Sequence, residues 1–133
     1  MDTKQKLFTP EEANRMLPLV GRIVEDILAV GQKLRLIGRE ANPTLKQMSE
    51  YRRGTDQLKS LFAELDSLGC SYKDWNFEIG LVDFPAQIEG RDVMLCWRSD
   101  EPSVRFYHSL EAGYAGRREV PADLLFQRNG GHK

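Results

Sequence analysis

The sequence predicts an α+β fold: a long antiparallel helical hairpin packed on a three- to four-stranded antiparallel β-meander. Two contrasting periodicities carry that expectation. Val20, Ile23, Ile27, Val30, Leu34 and Ile37 recur at alternating spacings of three and four, and so do Met48, Tyr51, Thr55, Leu58, Phe62 and Leu65. Each set lines one face of an α-helix. From Leu81 onward the rhythm changes to strict alternation, which in an extended chain sends every second side chain to the same side. A third observation fixes the connectivity. The two helical stretches are separated only by Ala41-Asn42-Pro43, and Gly69 follows the second, so the helices are antiparallel neighbours.

The elements follow in chain order. Residues 1 to 7 are polar and expected to be loose. Thr9-Pro10-Glu11-Glu12 is a helix start: Thr9 caps, Pro10 suits the first helical position, and Glu12 completes a capping box. Pro18 lacks a backbone donor and crowds the preceding turn, so a short helix, a kink near Leu17 and then a long helix to Arg39 are expected. The second helix runs from about Thr44 to Leu68, with Leu45, Leu61 and Leu68 widening its stripe. Gly69 suits a left-handed cap. Each helix is about 35 Å long, more than a three-stranded sheet needs. The surplus suits a coiled coil or a second subunit, or else simply fills the chain's own core.

Residues 70 to 75 suit a short first strand, and Asp74-Trp75-Asn76 a turn. In the central stretch, Val82, Phe84, Ala86 and Ile88 alternate with Leu81, Asp83, Pro85 and Gln87. Glu89-Gly90 suits a two-residue hairpin turn, since Gly accepts positive φ. That turn pairs Ile88 with Arg91, and so sets Phe84 opposite Leu95 and Val82 opposite Trp97. Val104 and Phe106 continue the apolar face. The reverse face then carries Asp83, Cys96, Arg98, Arg105 and Tyr107, with Asp83, Cys96 and Arg105 in one cross-strand row. Leu81, Met94 and Tyr107 among these charges imply partial cover by the C-terminal segment or a partner chain. Strict alternation puts His108 on the Val104 face. Residues 121 to 126 read as one apolar helical turn and residues 129 to 133 as a frayed tail holding His132. The expectation is a single domain over 1–133: hairpin 8–69, sheet 70–108, covering segment 109–128.

Gly80-Leu81-Val82-Asp83-Phe84-Pro85, Gly90-Arg91, Leu95-Cys96-Trp97, Glu101-Pro102, Tyr107-His108 and Gly113-Tyr114-Ala115-Gly116-Arg117, with Phe8 to Asn14 and Leu17-Pro18 upstream, resemble a prokaryotic family known as domain of unknown function 2203. The likeness spans about residues 8 to 120. The chain differs from the family pattern in having Asp100 before the Glu and Tyr107 before the His. The resemblance implies a small cytoplasmic protein of helices plus sheet, and implies no activity.

Charge and composition narrow the function classes. Nineteen basic and twenty acidic residues leave a net charge of −1, without the basic excess that nucleic acid or an anionic membrane surface wants. No apolar run approaches the roughly 20 residues that span a bilayer, and Met1 to Lys6 are not followed by an apolar signal segment. Two cysteines make no disulfide framework. A reduced, cytoplasmic protein is expected, with no nucleic-acid or membrane partner.

No spacing rule names a reaction. His108 is the one histidine before the tail; a buried, backbone-held imidazole is the plain account of it. A metal site would recruit His108, Glu101, Asp83 and Cys96, but neither His-Glu-x-x-His nor Cys-x-x-Cys is present, and the expectation is no metal and no cofactor. Cys96, between Leu95 and Trp97, looks like packing. Gly113 to Arg118 offers glycines and two arginines to an anion. Two hypotheses result. The first is an interaction module, a homodimer or adaptor working through the hairpin. The second is a small-molecule or anion site, with Asp83, His108 and Glu101 as acid or base candidates and Arg105, Arg117, Arg98 and Tyr107 as binding candidates. Geometry decides it: Asp83, Arg105 and His108 must share one cavity.

Overall fold

The computed structural model describes residues 6–125. Two helices, α1 (Pro10–Gly38) and α2 (Leu45–Leu68), form the antiparallel hairpin. Five strands follow: β1 (Ser71–Tyr72), β2 (Leu81–Ile88), β3 (Arg91–Arg98), β4 (Phe106–Ser109) and β5 (Arg118–Glu119). They pair antiparallel in sequence order, one strand more than the expected upper limit. A 3₁₀ turn (Tyr114–Gly116) precedes β5, and a single helical turn, α3 (Ala122–Leu125), follows it. Phe126 and the tail with His132 lie outside the described residues.

Both helices begin as their sequences require. Thr9 Oγ1 accepts from the Glu12 N–H at 3.1 Å while Glu12 accepts from Thr9 N–H at 3.0 Å, and Thr44 with Gln47 repeats the device on α2. Such caps contribute about 1 kcal/mol each. At the end of α2, Gly69 takes φ +98°, the left-handed cap that a Cβ would penalise. Pro18 does not divide the first helix. The expected short helix, kink and second helix are one element, Pro10–Gly38. Ala13 and Val20, on either side of the proline, are both fully buried, and this shared anchoring outweighs one missing backbone bond.

The β2–β3 register agrees with the expectation: Ile88 faces Arg91, Phe84 faces Leu95 and Val82 faces Trp97. Glu89 and Gly90 have φ of 54° and 80°, the positive pair that a two-residue hairpin turn needs. Val82, Phe84 and Leu95 are fully buried, in a core that also takes in Val20, Ile23 and Ile27 of α1 and Leu58, Leu61 and Leu65 of α2. Gly80 permits the close approach at the head of β2, where a Cβ would collide with Val24 of α1.

The last central strand departs from the expectation. It starts at Phe106, and Cys96 faces Phe106 while Leu95 faces Tyr107. Val104 is still in the connection. Its N–H donates to Asn14 Oδ1 at 2.7 Å and its carbonyl accepts from Asn14 Nδ2 at 3.2 Å, so α1 takes both backbone groups that a strand residue would offer β3. Val104 is buried without being on the sheet. The alternation through Val104 and Phe106 therefore does not hold. Phe106 and His108 lie on the outer face, and Tyr107 lies against the core. Among the described residues no helix is long and apolar enough to cross a membrane.

Candidate functional site

The register of β2, β3 and β4 gathers three polar side chains on the outer face. Asp83 stands opposite Cys96, and His108, opposite Met94, is the diagonal neighbour of Cys96 on the next strand. One ligating atom from each of Asp83, Cys96 and His108 lies within 4.8 Å of the other two. They are 5%, 1% and 5% exposed. Next to them opens a cleft of about 340 Å³ lined by Lys73, Leu81, Met94, Leu110, Gly113 and Tyr114. The segment after β4 covers this face, as the mixture of apolar and charged residues implied.

The histidine ring has a fixed orientation. Nδ1 is 2.8 Å from the Ser109 carbonyl oxygen. A carbonyl only accepts, so Nδ1 carries hydrogen and donates. Nε2 is 3.2 Å from Asp83 Oδ2. That contact is attractive with a proton shared between ring and carboxyl, or with a cation between the two atoms. Burial pushes the Cys96 thiol up to about 12, helped by the Asp83 carboxylate beside it and opposed by the Arg117 charge. A thiol so protonated is a poor nucleophile, which removes cysteine catalysis by the bare side chain from the readings this geometry supports.

The other candidates lie elsewhere. Arg105 is exposed and is not in the Asp83 row, because Phe106 occupies that place; it lines a different groove, with Trp97 and Leu17. The cross-strand row of Asp83, Cys96 and Arg105 is thus corrected, for the reason that the pairing of β4 with β3 is shifted by one residue. Tyr107 is likewise removed from the outer face. Glu101 accepts from Arg98 N–H at 2.9 Å and from Arg117 Nη2 at 2.7 Å. Arg117 also donates to the Cys96 carbonyl at 3.1 Å and stacks 4.2 Å over the Phe106 ring. Arg98 forks onto Asp100 at 2.8 and 2.7 Å and donates to the Tyr114 hydroxyl at 2.7 Å. Those bonds hold the Asp100 carboxyl below its ordinary range. Both arginines therefore fasten the 99–103 turn and the C-terminal segment over the outer face, engaged rather than waiting for an anion. Of the proposed trio, Asp83 and His108 share a cavity and Arg105 does not.

A second region stands out at the far end of the hairpin. Leu34 lies over Gly54, where a Cβ would come within 2.6 Å of it, and this close approach is the last well-buried helix–helix contact. Beyond it the apolar residues of the second stripe face water, with Leu45 82% exposed, Met48 46% and Tyr51 43%, and Leu36 on the other side of α1 is 63% exposed. Ile37, Pro43, Met48 and Tyr51 border a groove of about 570 Å³, with Glu40, Arg52, Asp56 and Lys59 around it. Periodicity alone does not distinguish this outer part of the stripe from the inner part.

Residues 6–120 match the family described as Uncharacterized conserved protein (DUF2203). No curated protein and no solved structure matches the chain.

Proposed function

This chain belongs to that family of uncharacterized conserved proteins, and we propose that it is a homo-oligomeric interaction module in which the ends of two hairpins pair. The exposed apolar tip is the observation that carries the reading. Soluble chains scatter single apolar residues over their surface, but apolar residues gathered round one groove, as Ile37, Pro43, Met48 and Tyr51 are, mark a place of association. A second copy is the partner that fits best. Around the groove, Glu40 and Asp56 are matched in number by Arg52 and Lys59, so two copies of it approach without net like-charge repulsion. Covering apolar surface returns about 25 cal/mol per Å², and antiparallel helix ends can extend one another as a short coiled coil. The reading takes the cytoplasm as its compartment; two free, buried thiols, Cys70 and Cys96, support that.

Sedimentation equilibrium tests it. The wild-type chain is expected to pass from monomer to dimer as concentration rises. Leu45→Glu combined with Met48→Glu is expected to remain monomeric with unchanged circular dichroism. A wild-type chain that stays monomeric at every concentration overturns the reading.

A further inference from the structure

Three groups that chemistry keeps apart in most cores are together on the outer face: a carboxylate, a thiol and an imidazole. Taking an ionised group out of water costs several kcal/mol unless something of opposite charge meets it. Within the cluster the Asp83 carboxylate meets the Cys96 thiol, which hydrogen-bonds to it, and the His108 ring. His108 Nδ1 is committed to the Ser109 carbonyl, which leaves Nε2 facing the Asp83 carboxylate 3.2 Å away, a contact that a proton or a cation can bridge. Cys96 adds a third electron-pair donor at the same point. Arg117, whose charge reaches Cys96, is turned to Glu101 and to the Cys96 carbonyl.

We propose that Asp83, Cys96 and His108 together hold one borderline-soft divalent transition-metal ion, zinc by ligand chemistry, with an open coordination position facing the cleft beneath Tyr114. The arrangement fits on four counts. A tetrahedral ion with bonds of roughly 2.0 Å to nitrogen and oxygen and 2.3 Å to sulfur sets the nitrogen and oxygen about 3.3 Å apart and the sulfur about 3.5 Å from either. The Asp83–His108 pair, at 3.2 Å, stands just short of that spacing, and the cysteine sulfur is within 4.8 Å of both. The ring is held as metal-binding imidazoles are, with its far nitrogen donating to a backbone carbonyl. The donor set of one sulfur, one nitrogen and one oxygen disfavours calcium and magnesium, which take oxygen. Finally, three protein ligands with a neighbouring cavity of about 340 Å³ are the pattern of a site that keeps a place for water or substrate, where a purely structural ion is closed by four.

This goes beyond association through the hairpin and does not depend on it. It also departs from the sequence expectation of no metal. That expectation rested on spacing along the chain, whereas these residues come from three different strands and are joined by register alone. On binding, the ion replaces the cysteine proton, which leaves to solvent, and the site becomes a thiolate, an imidazole and a carboxylate around one divalent charge.

Cobalt(II) as the sole probe, added to metal-stripped protein, gives the test. The expected result is a thiolate-to-cobalt charge-transfer band in the near ultraviolet, with the visible bands of tetrahedral cobalt, saturating at one ion per chain and erased by zinc. Cys96→Ser is expected to abolish the charge-transfer band, and Asp83→Asn to weaken binding by about 10–100-fold or more. No such band in the wild type, or a band that survives in Cys96→Ser, overturns the proposal. Should the variants fail to fold, nitrogen-15 spectra of the wild-type ring decide the matter. Zinc is expected to shift His108 Nε2 while Nδ1 keeps its proton; no shift at Nε2 means a plain buried ion pair and ends the proposal.

Discussion

At the tip of the hairpin four large apolar side chains meet water; on the outer face of the sheet an acid, a thiol and an imidazole do not. Both regions depart from the usual partition of side chains, in opposite directions, and such departures say more about function than any ordinary core residue. They also differ in how the cost is met. Exposed leucines cost a single folded chain little, and their burial waits on concentration. Buried polar groups cost the chain at once, and they must be satisfied by one another or by an ion. The tip therefore suits a partner of the same kind, and the outer face suits a small cation.

The sharpest way to break this contrast is to delete one polar partner. Asp83→Ala leaves His108 and Cys96 buried without their carboxylate and is expected to cost metal-free protein about 3–5 kcal/mol, read by urea denaturation. A loss below 1 kcal/mol would mean that the outer face is wetter than its burial implies.

Much of the fold was legible before any coordinates. Thr9 with Glu12 and Thr44 with Gln47 mark helix starts because their chemistry is local, and Glu89-Gly90 sets the β2–β3 register because a two-residue turn leaves no slack. What escaped was long-range. Nothing in the sequence near Val104 tells that Asn14, ninety positions away, takes its backbone groups, or that β4 pairs with β3 one residue out of the expected register. That shift exchanged Arg105 for Phe106 in the Asp83 row and brought His108 to the outer face. Arg117 escaped for a similar reason: a Gly-rich segment with arginines reads as an anion loop, and only the folded chain puts Glu101 against it. At the tip, the helical stripe correctly marked a hairpin but did not tell where the sheet beneath it stops.

A pH measurement sharpens the polar half of the contrast. Burial raises the Cys96 thiol from the ordinary 9.0 to about 12. Between those values the unfolded chain gives up a proton that the folded chain keeps, so stability is complete below pH 9 and falls as pH rises toward 12. The loss attributable to this thiol is at most about 4 kcal/mol. Metal-free Cys96→Ala is expected to lose less stability than wild type between pH 8 and pH 11; equal losses would show that the thiol is already reached by water.

The smallest effect belongs to the tip. Leu45→Glu is expected to change the stability of the monomer, measured in dilute solution, by no more than about 0.5 kcal/mol, since the side chain it replaces is 82% exposed. A larger loss would mean that the tip is part of the chain's own core.

Both halves can be read in one experiment. Native mass spectrometry of the chain after incubation with zinc and removal of the excess reports subunit number and bound metal together. Two chains carrying one zinc each are the expected mass. A bare single chain, at concentrations that favour pairing, would contradict the assignment of either region to a partner.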